Sequence, residues 1–168
     1  MQLDLLIGNI FSLLSAICIG VSAIEKSKKR FMFWQIGDAL FGTVMNIALS
    51  AYAALATSIV CLLRNILSFK GCLTRSVTII LLGIGITIGL WANNLGVVGL
   101  LPILASGIYT ICIYITKNEQ QMRYALILNM LLWFGHNAWI RAYPSAAANL
   151  ILCLWTTIQA LKNAKKVR

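Results

Sequence analysis

Apolar residues occupy the chain in long blocks, and short polar or basic stretches separate these blocks. A helix that crosses a bilayer needs ~20 mostly apolar residues, because it rises about 1.5 Å per residue through the hydrocarbon core. The pattern predicts seven transmembrane helices: Leu3–Ile24, Phe31–Ser50, Ala53–Phe69, Val77–Ala92, Val97–Thr116, Tyr124–Ile140 and Pro144–Leu161. Only Ala51 and Tyr52 separate the second block from the third, so this boundary is the least sharply marked.

Composition agrees with a membrane location. Hydrophobic residues make up 60% of the chain and charged residues 11%, whereas soluble domains carry about 25% charged residues. The first four residues lack the basic stretch of a cleavable signal peptide, so we expect the first block to remain as a span. The five cysteines show no metal-ligand spacing, and we interpret them as small apolar residues rather than disulfides.

The basic residues lie at the ends of the predicted spans. Threading the chain alternately through a bilayer places thirteen of the 14 Lys and Arg residues on one side and only Arg141 on the other. Basic residues concentrate on the cytoplasmic side of membrane proteins. We therefore expect an external N-terminus and a cytoplasmic C-terminus. The net charge of the chain is +10, but because the basic residues lie at the ends of spans, we expect the partner to be the lipid bilayer and not nucleic acid.

An internal repeat relates the two halves. The stretch "RFMFWQIGDALFG" (30–42) aligns with "RYALILNMLLWFG" (123–135) at an offset of 92–93 residues, and "SAIC" (15–18) aligns with "YTIC" (109–112). Four helices separate the two copies, so both have the same orientation in the membrane. This pattern predicts parallel three-helix repeats at 1–75 and 97–168, joined by a linker helix at 76–96 with Gly85 and Gly89 suited to close packing.

This 3+1+3 plan resembles the SWEET/PQ-loop superfamily of small-solute transporters. Within it, the stretch "FGTVMNIALSAYAALATSIVCLLRN" (41–65), with its small-residue turn and terminal Arg64-Asn65, is similar to YgjV-type bacterial inner-membrane proteins. The resemblance implies a SWEET-like all-α membrane fold that carries a small solute. It also implies a helix hinge at Pro102, and a solute-facing role for Asn149 in the third helix of its repeat.

Polar residues form stripes on three predicted helices. One stripe holds Gln35, Asp38, Gly42 and Asn46, a second holds Asn129, Trp133 and His136, and a third holds Asn149, Cys153 and Thr156. Lipid offers these groups no partners, so the stripes must turn inward. We expect them to line a cavity on the axis between the repeats. The predicted solute-binding residues are Trp34, Asn46, Asn129, Trp133, His136 and Asn149.

Asp38 and Arg64 lie at similar depth, about 10 Å and 9 Å from the cytoplasmic boundary at ~1.5 Å per residue. At the 92–93 offset the second repeat carries Leu131 in place of Asp38 and Thr156 or Thr157 in place of Arg64. The joint loss of both charges predicts a structural or gating ion pair. A role for Asp38 in proton or cation coupling is the alternative.

We therefore expect a transporter that moves a small polar, uncharged solute, such as a sugar, nucleoside or vitamin, by alternating access between two three-helix bundles. A solute-capture subunit with a separate energising partner and a non-transporting regulatory protein are the alternatives, and the sequence leaves a homo-oligomer open. No nucleophile lies beside a base, so we expect no enzyme, catalytic residue or cofactor. A metal site is likewise not expected, because His136 has no second ligand at suitable spacing.

Overall fold

The computed structural model describes residues 2–25, 27–115 and 119–166, and these ranges form seven α-helices without a β-strand. This confirms the predicted all-α membrane fold with seven helices. Lys26, Lys117 and Arg168, which belong to the predicted basic side, and Thr116, the predicted end of the fifth span, lie outside the described residues. The helices are α1 (Gln2–Ile24), α2 (Lys28–Ala48), α3 (Tyr52–Phe69), α4 (Arg75–Trp91), α5 (Val97–Ile115), α6 (Glu119–Trp139) and α7 (Tyr143–Lys166).

Many large apolar side chains lie on the surface of the molecule, and many of the buried residues are polar. On α1 the exposed residues include Leu3, Leu6, Ile10, Leu13 and Ile17, while the buried positions are Gly8, Ser12, Ser15, Cys18 and Ser22. A soluble helix shows the opposite arrangement, with its apolar stripe facing the core. Large aliphatic side chains outside and small polar ones inside indicate a helix whose outer face contacts lipid.

Length and hydropathy alone identify three of the described helices as able to cross a membrane, at Gln2–Ile24, Tyr52–Phe69 and Tyr143–Leu161. Two shorter apolar helices lie at Arg75–Trp91 and Val97–Cys112. The remaining helices, α2 and α6, both carry one of the polar stripes predicted from the sequence. Their polar faces must therefore be covered by neighbouring helices rather than by lipid.

Six of the helices form a closed ring. Within the described ranges, α1 packs against α2, α2 against α3, α3 against α5, α5 against α6, α6 against α7, and α7 returns to α1. Helix α4 lies outside the ring, where it contacts α3 and α5. The order of contacts around the ring is unchanged when α1–α3 are exchanged with α5–α7. The division into two repeats and a linker, which accounts for this symmetry, stays a prediction.

The two junctions of the ring join parallel helices. At the α1–α7 junction, Ser12 and Ser145 are linked by a hydrogen bond of 2.9 Å between their hydroxyl oxygens, and the amide of Tyr143 donates to Asn9. At the α3–α5 junction, Cys61 lies 3.3 Å from the Ser106 hydroxyl, and Arg64 donates to the Thr110 hydroxyl over 2.9 Å. Residue numbers rise together along each junction, so the helices run in the same direction.

The turns after α2 and α6 have the same geometry. Ser50 and Arg141 both adopt positive φ angles, of 52° and 62°. The next amide, of Ala51 or Ala142, donates to the carbonyl oxygen of Asn46 or Asn137 over 2.9 Å in both cases. These are the bonds of a Schellman motif, which closes a helix through one left-handed residue.

The matching turns correct the register of the predicted repeat for its second and third helices. Asn137 follows Asn46 by 91 positions, as Arg141 follows Ser50, whereas the sequence alignment gave 92–93. At the corrected offset the counterpart of Asp38 is Asn129 rather than Leu131, and the counterpart of Arg64 is Trp155. The sequence alignment gave a different offset because two apolar helices can be shifted by one or two residues against each other and still match in composition.

Helix α4 packs against the ring through two of its glycines. A Cβ atom at Gly89 would lie 2.9 Å from a side-chain carbon of Ile103 on α5, and one at Gly85 would lie 3.4 Å from Val60 on α3. A Cβ at Gly83 would meet nothing within 4 Å. Small residues therefore let α4 approach the ring closely, as predicted for Gly85 and Gly89.

Candidate functional site

A polar cavity of about 120 Å³ lies inside the ring. Helices α1, α2, α3, α5, α6 and α7 all contribute to its wall, and α4 does not. The lining side chains include a carboxylate, a guanidinium, several amides and hydroxyls, and an indole. They are Ser15, Ile19, Phe31, Gln35, Asp38, Ala39, Gly42, Met45, Asn46, Ser58, Cys61, Arg64, Asn65, Ser106, Tyr109, Leu126, Asn129, Trp133, Asn137, Ser145 and Asn149.

The wall of this cavity repeats itself at the corrected register. Five pairs of lining residues are related by 91 positions: Gln35 and Leu126, Asp38 and Asn129, Gly42 and Trp133, Asn46 and Asn137, and Ser58 and Asn149. The same positions of α2 and α6, and of α3 and α7, therefore face the centre from the two halves. The two side chains of most pairs differ in chemistry. The lining positions are therefore arranged symmetrically, while the functional groups at these positions are not.

One end of the cavity is closed. Around the turns after α2 and α6, small residues pack without solvent access, with Ala51, Ala53, Ala54 and Ala142 all 0% exposed. The bond between Ser12 and Ser145 seals the ring just beside these turns. Small side chains allow the helices to approach until no channel remains between them.

The other end opens into a vestibule of about 620 Å³. Phe31, Gln35, Arg64, Asn65 and Tyr109 line both spaces, so the vestibule continues directly from the cavity. It also reaches the loop between α3 and α4 through Gly71, Leu73 and Thr74. The structure therefore represents a state in which the cavity is accessible from the side that carries the basic residues.

Two buried amides at the closed end have carbonyl oxygens without hydrogen-bond partners. Asn46 is 0% exposed and Asn137 is 3% exposed, and both line the cavity. The Asn46 amide nitrogen donates to the Ser58 hydroxyl over 3.0 Å, yet neither Asn46 Oδ1 nor Asn137 Oδ1 has a partner. A buried acceptor without a donor is unfavourable. These two buried oxygens belong to asparagines 91 positions apart on α2 and α6.

The predicted ion pair between Asp38 and Arg64 is absent from the part of the chain that the structure describes. The Ser15 hydroxyl on α1 donates to Asp38 Oδ1 over 2.5 Å. Arg64 Nη1 donates to Thr110 on α5 over 2.9 Å, and its guanidinium lies 5.7 Å from the centre of the Tyr109 ring. Each charged group is held by a different neighbouring helix. Both therefore face the cavity instead of each other.

Four of the predicted solute-binding residues line the cavity, namely Asn46, Asn129, Trp133 and Asn149. Trp34 does not line it and instead packs edge-on against Phe33, with ring centres 5.8 Å apart. His136 also does not line it. On α6 the stripe that faces the cavity runs through Leu126, Asn129, Trp133 and Asn137, so Asn137 takes the place that the sequence analysis gave to His136.

His136 and the predicted hinge Pro102 are linked through one carbonyl group. Proline has no amide hydrogen, so Pro102 leaves the carbonyl oxygen of Val98, four residues earlier on α5, without its helical bond. His136 Nδ1 lies 3.2 Å from that oxygen. Because a carbonyl only accepts, Nδ1 carries the proton and donates. His136 is 0% exposed, its Nδ1 satisfies the carbonyl that Pro102 leaves free on α5, and its Nε2 has no hydrogen-bond partner among the described residues.

The fold and the cavity together define an all-α membrane protein with a polar centre. The chain belongs to the Imp-YgjV family, described as a bacterial inner membrane protein family, whose model matches residues 6–166. No match to the chain was found among curated proteins or among solved structures. The predicted resemblance to YgjV-type proteins is therefore confirmed, and placement in the SWEET/PQ-loop superfamily stays a prediction.

Proposed function

We propose that this inner membrane protein is a transporter that moves a small polar solute by alternating access. The observation that carries the proposal is the cavity inside the six-helix ring, closed at one end and open at the other. Its wall contains two buried amide oxygens without partners, which a solute with hydrogen-bond donors would satisfy. A purely structural packing role does not require such groups to converge on a shared space.

Alternating access requires a second state that opens at the end now closed. The two junctions, α1–α7 and α3–α5, are where the three-helix halves meet, so rocking about these junctions would open the Ser12–Ser145 side. Carriers with parallel repeats move their halves around a fixed central site. In our proposal the basic side is cytoplasmic, and the present conformation therefore faces inward with the N-terminus outside.

The direct test is flux through the purified chain in proteoliposomes. We expect uptake of at least one radiolabelled compound from a panel of sugars, nucleosides, vitamins and amino acids, above the background of empty liposomes. Asn149→Ala removes a cavity amide and should reduce that flux at least tenfold. Thr87→Ala, which removes an exposed hydroxyl from α4 outside the ring, is the control and should leave the flux within twofold of the unsubstituted chain. Absence of flux for every class would overturn the proposal.

The sequence predicted an uncharged solute because Asp38 and Arg64 were expected to neutralise each other. That reason no longer holds, since the two groups bind separate partners. The charge of the solute must therefore be inferred from the geometry of these two residues.

A further inference from the structure

Two opposite charges face one cavity at the same depth. Asp38 and Arg64 each lie 13 positions from Ala51, in the turn between their helices, and the equal distances place them at one level. Ser15 holds the carboxylate toward α1, while Thr110 holds the guanidinium toward α5. The two groups therefore have hydrogen-bond partners on different helices, α1 and α5.

We infer that the transported solute is a small zwitterion, with its cationic group beside Asp38 and its anionic group beside Arg64. This inference rests on the proposed transport function and specifies the class of solute. A charge inside a membrane protein requires compensation by water or by an opposite charge. A neutral solute that displaced the cavity water would leave both charges uncompensated, and a singly charged one would leave one.

The guanidinium of Arg64 has an edge that suits a carboxylate. Its Nε and Nη2 atoms both point at Asn65 Oδ1, at 3.4 Å each. These contacts are long for N–H···O hydrogen bonds, which cluster near 2.9–3.0 Å. The same edge binds a carboxylate through two parallel hydrogen bonds in many proteins. An incoming carboxylate can therefore replace the weak contacts with Asn65, while Nη1 keeps its bond to Thr110.

The cationic end of the solute would meet the Asp38 carboxylate, which lines the cavity at the level of Arg64. An ammonium group has three donors and no acceptor, so a carboxylate matches it. Asn46 lies eight residues further along α2, about 12 Å along the helix axis, so its oxygen is outside the reach of that ammonium. The size is also restrictive, because 120 Å³ corresponds to about ten water positions at 10–15 Å³ each. That space suits a solute with few non-hydrogen atoms.

Four solutes of matched shape test the inference in proteoliposomes that contain the full chain. L-Alanine carries both charges, L-lactate only the carboxylate, L-alaninol only the ammonium, and L-lactamide neither. We expect L-alanine flux to exceed that of each other compound at least tenfold, because a site built around a polar group rejects analogues that leave it unpaired. Equal or faster flux of L-lactamide, or flux restricted to sugars, would overturn the zwitterion inference and leave transport standing. Absence of flux for these four and for the wider panel would overturn transport itself.

Single substitutions separate a solute-binding role from a structural one. Asp38→Asn should lower the preference for L-alanine over L-lactate at least fivefold, and Arg64→Gln should lower the preference for L-alanine over L-alaninol by a similar factor. Arg141→Gln removes a cation outside the cavity and should leave both preferences unchanged. If either cavity variant reduced all four fluxes equally, with the melting temperature retained, the assigned contact would be wrong.

Discussion

At the scale of single residues, neighbouring polar positions on one helix have different tasks. Asn137 lines the cavity with an unpaired carbonyl oxygen, and the adjacent His136 bonds to the Val98 carbonyl on α5. One residue therefore faces the cavity while the next contacts a neighbouring helix. Substitutions at the two positions should affect different measurements.

Asn137→Ala should reduce flux at least tenfold and leave the melting temperature in detergent unchanged or slightly raised. The reason is that Asn137 Oδ1 has no partner to lose, and removing a buried unsatisfied acceptor relieves its desolvation cost. His136→Leu, one position earlier in the chain, replaces histidine with a side chain of similar volume. This variant is the matched control and should lower the melting temperature instead. A stable His136→Leu with a destabilised Asn137→Ala would contradict these assignments.

The bond from His136 to Val98 should depend on Pro102. In the original background, His136→Leu leaves the Val98 carbonyl without a donor, which costs about 1–3 kcal/mol of unfolding free energy. In a Pro102→Ala background, the backbone amide gained at that position can donate to Val98, so the same histidine substitution should cost about 1 kcal/mol less. Thermal or denaturant unfolding of the four proteins measures this coupling. Additive effects would show that the two residues act independently.

At the scale of elements, the hydrophobic pattern predicted all seven helices, and periodicity placed seven of the 21 described residues that line the cavity. The predicted stripe of α2, at Gln35, Asp38, Gly42 and Asn46, lines the cavity in full. The prediction for α2 succeeded because polar side chains on a helix that also contacts lipid must turn toward the protein interior. A few polar positions in a long apolar block therefore determine which face of the helix is buried.

The sequence did not resolve the stripe of α6 because His136 and Asn137 are adjacent and both polar. Periodicity alone does not decide which of the two faces the centre. The deciding interaction is with the Val98 carbonyl, which belongs to α5 and is exposed only because of Pro102. The Asp38–Arg64 pairing failed for a similar reason, since Ser15 and Thr110 on neighbouring helices hold the two charges apart. Contacts between helices decided both cases.

The packing of α4 gives a matched pair of substitutions on one helix. Gly89→Leu places a side chain against Ile103, where a Cβ alone would approach to 2.9 Å, and should cost about 1–3 kcal/mol of stability. A Cβ atom at Gly83 would meet nothing within 4 Å. Gly83→Leu should therefore leave the melting temperature unchanged, or raise it because leucine has a higher helix propensity than glycine. Equal destabilisation by both would show that α4 does not dock through Gly89.

At the scale of the whole molecule, closure of the ring determines which side has access to the cavity. The sealed end depends on the contact between α1 and α7 at Ser12 and Ser145, while the opposite end is wide enough for the vestibule. A carrier must open the sealed end and close the open end during each transport cycle. The junction at the sealed end is therefore expected to open and close during transport.

A crosslink at this junction should stop the cycle. Ser12→Cys with Ser145→Cys replaces hydroxyls whose oxygens are 2.9 Å apart, a separation from which two sulfur atoms can reach bonding distance with small adjustments. Oxidation should abolish flux, and reduction should restore it, because the disulfide holds the end closed. Each single cysteine variant, treated with oxidant, is the control. Undiminished flux with the disulfide verified by mass spectrometry would exclude opening at this junction.

The shared carbonyl of Val98 also has a consequence for the evolution of such chains. A relative that lost the proline at position 102 would regain the helical bond, and selection would then no longer hold a histidine at position 136. A relative that lost the histidine first would keep an unpaired carbonyl inside the bilayer. We therefore expect substitutions of Pro102 and His136 to occur together among homologues. The proline should be replaced before the histidine or at the same time.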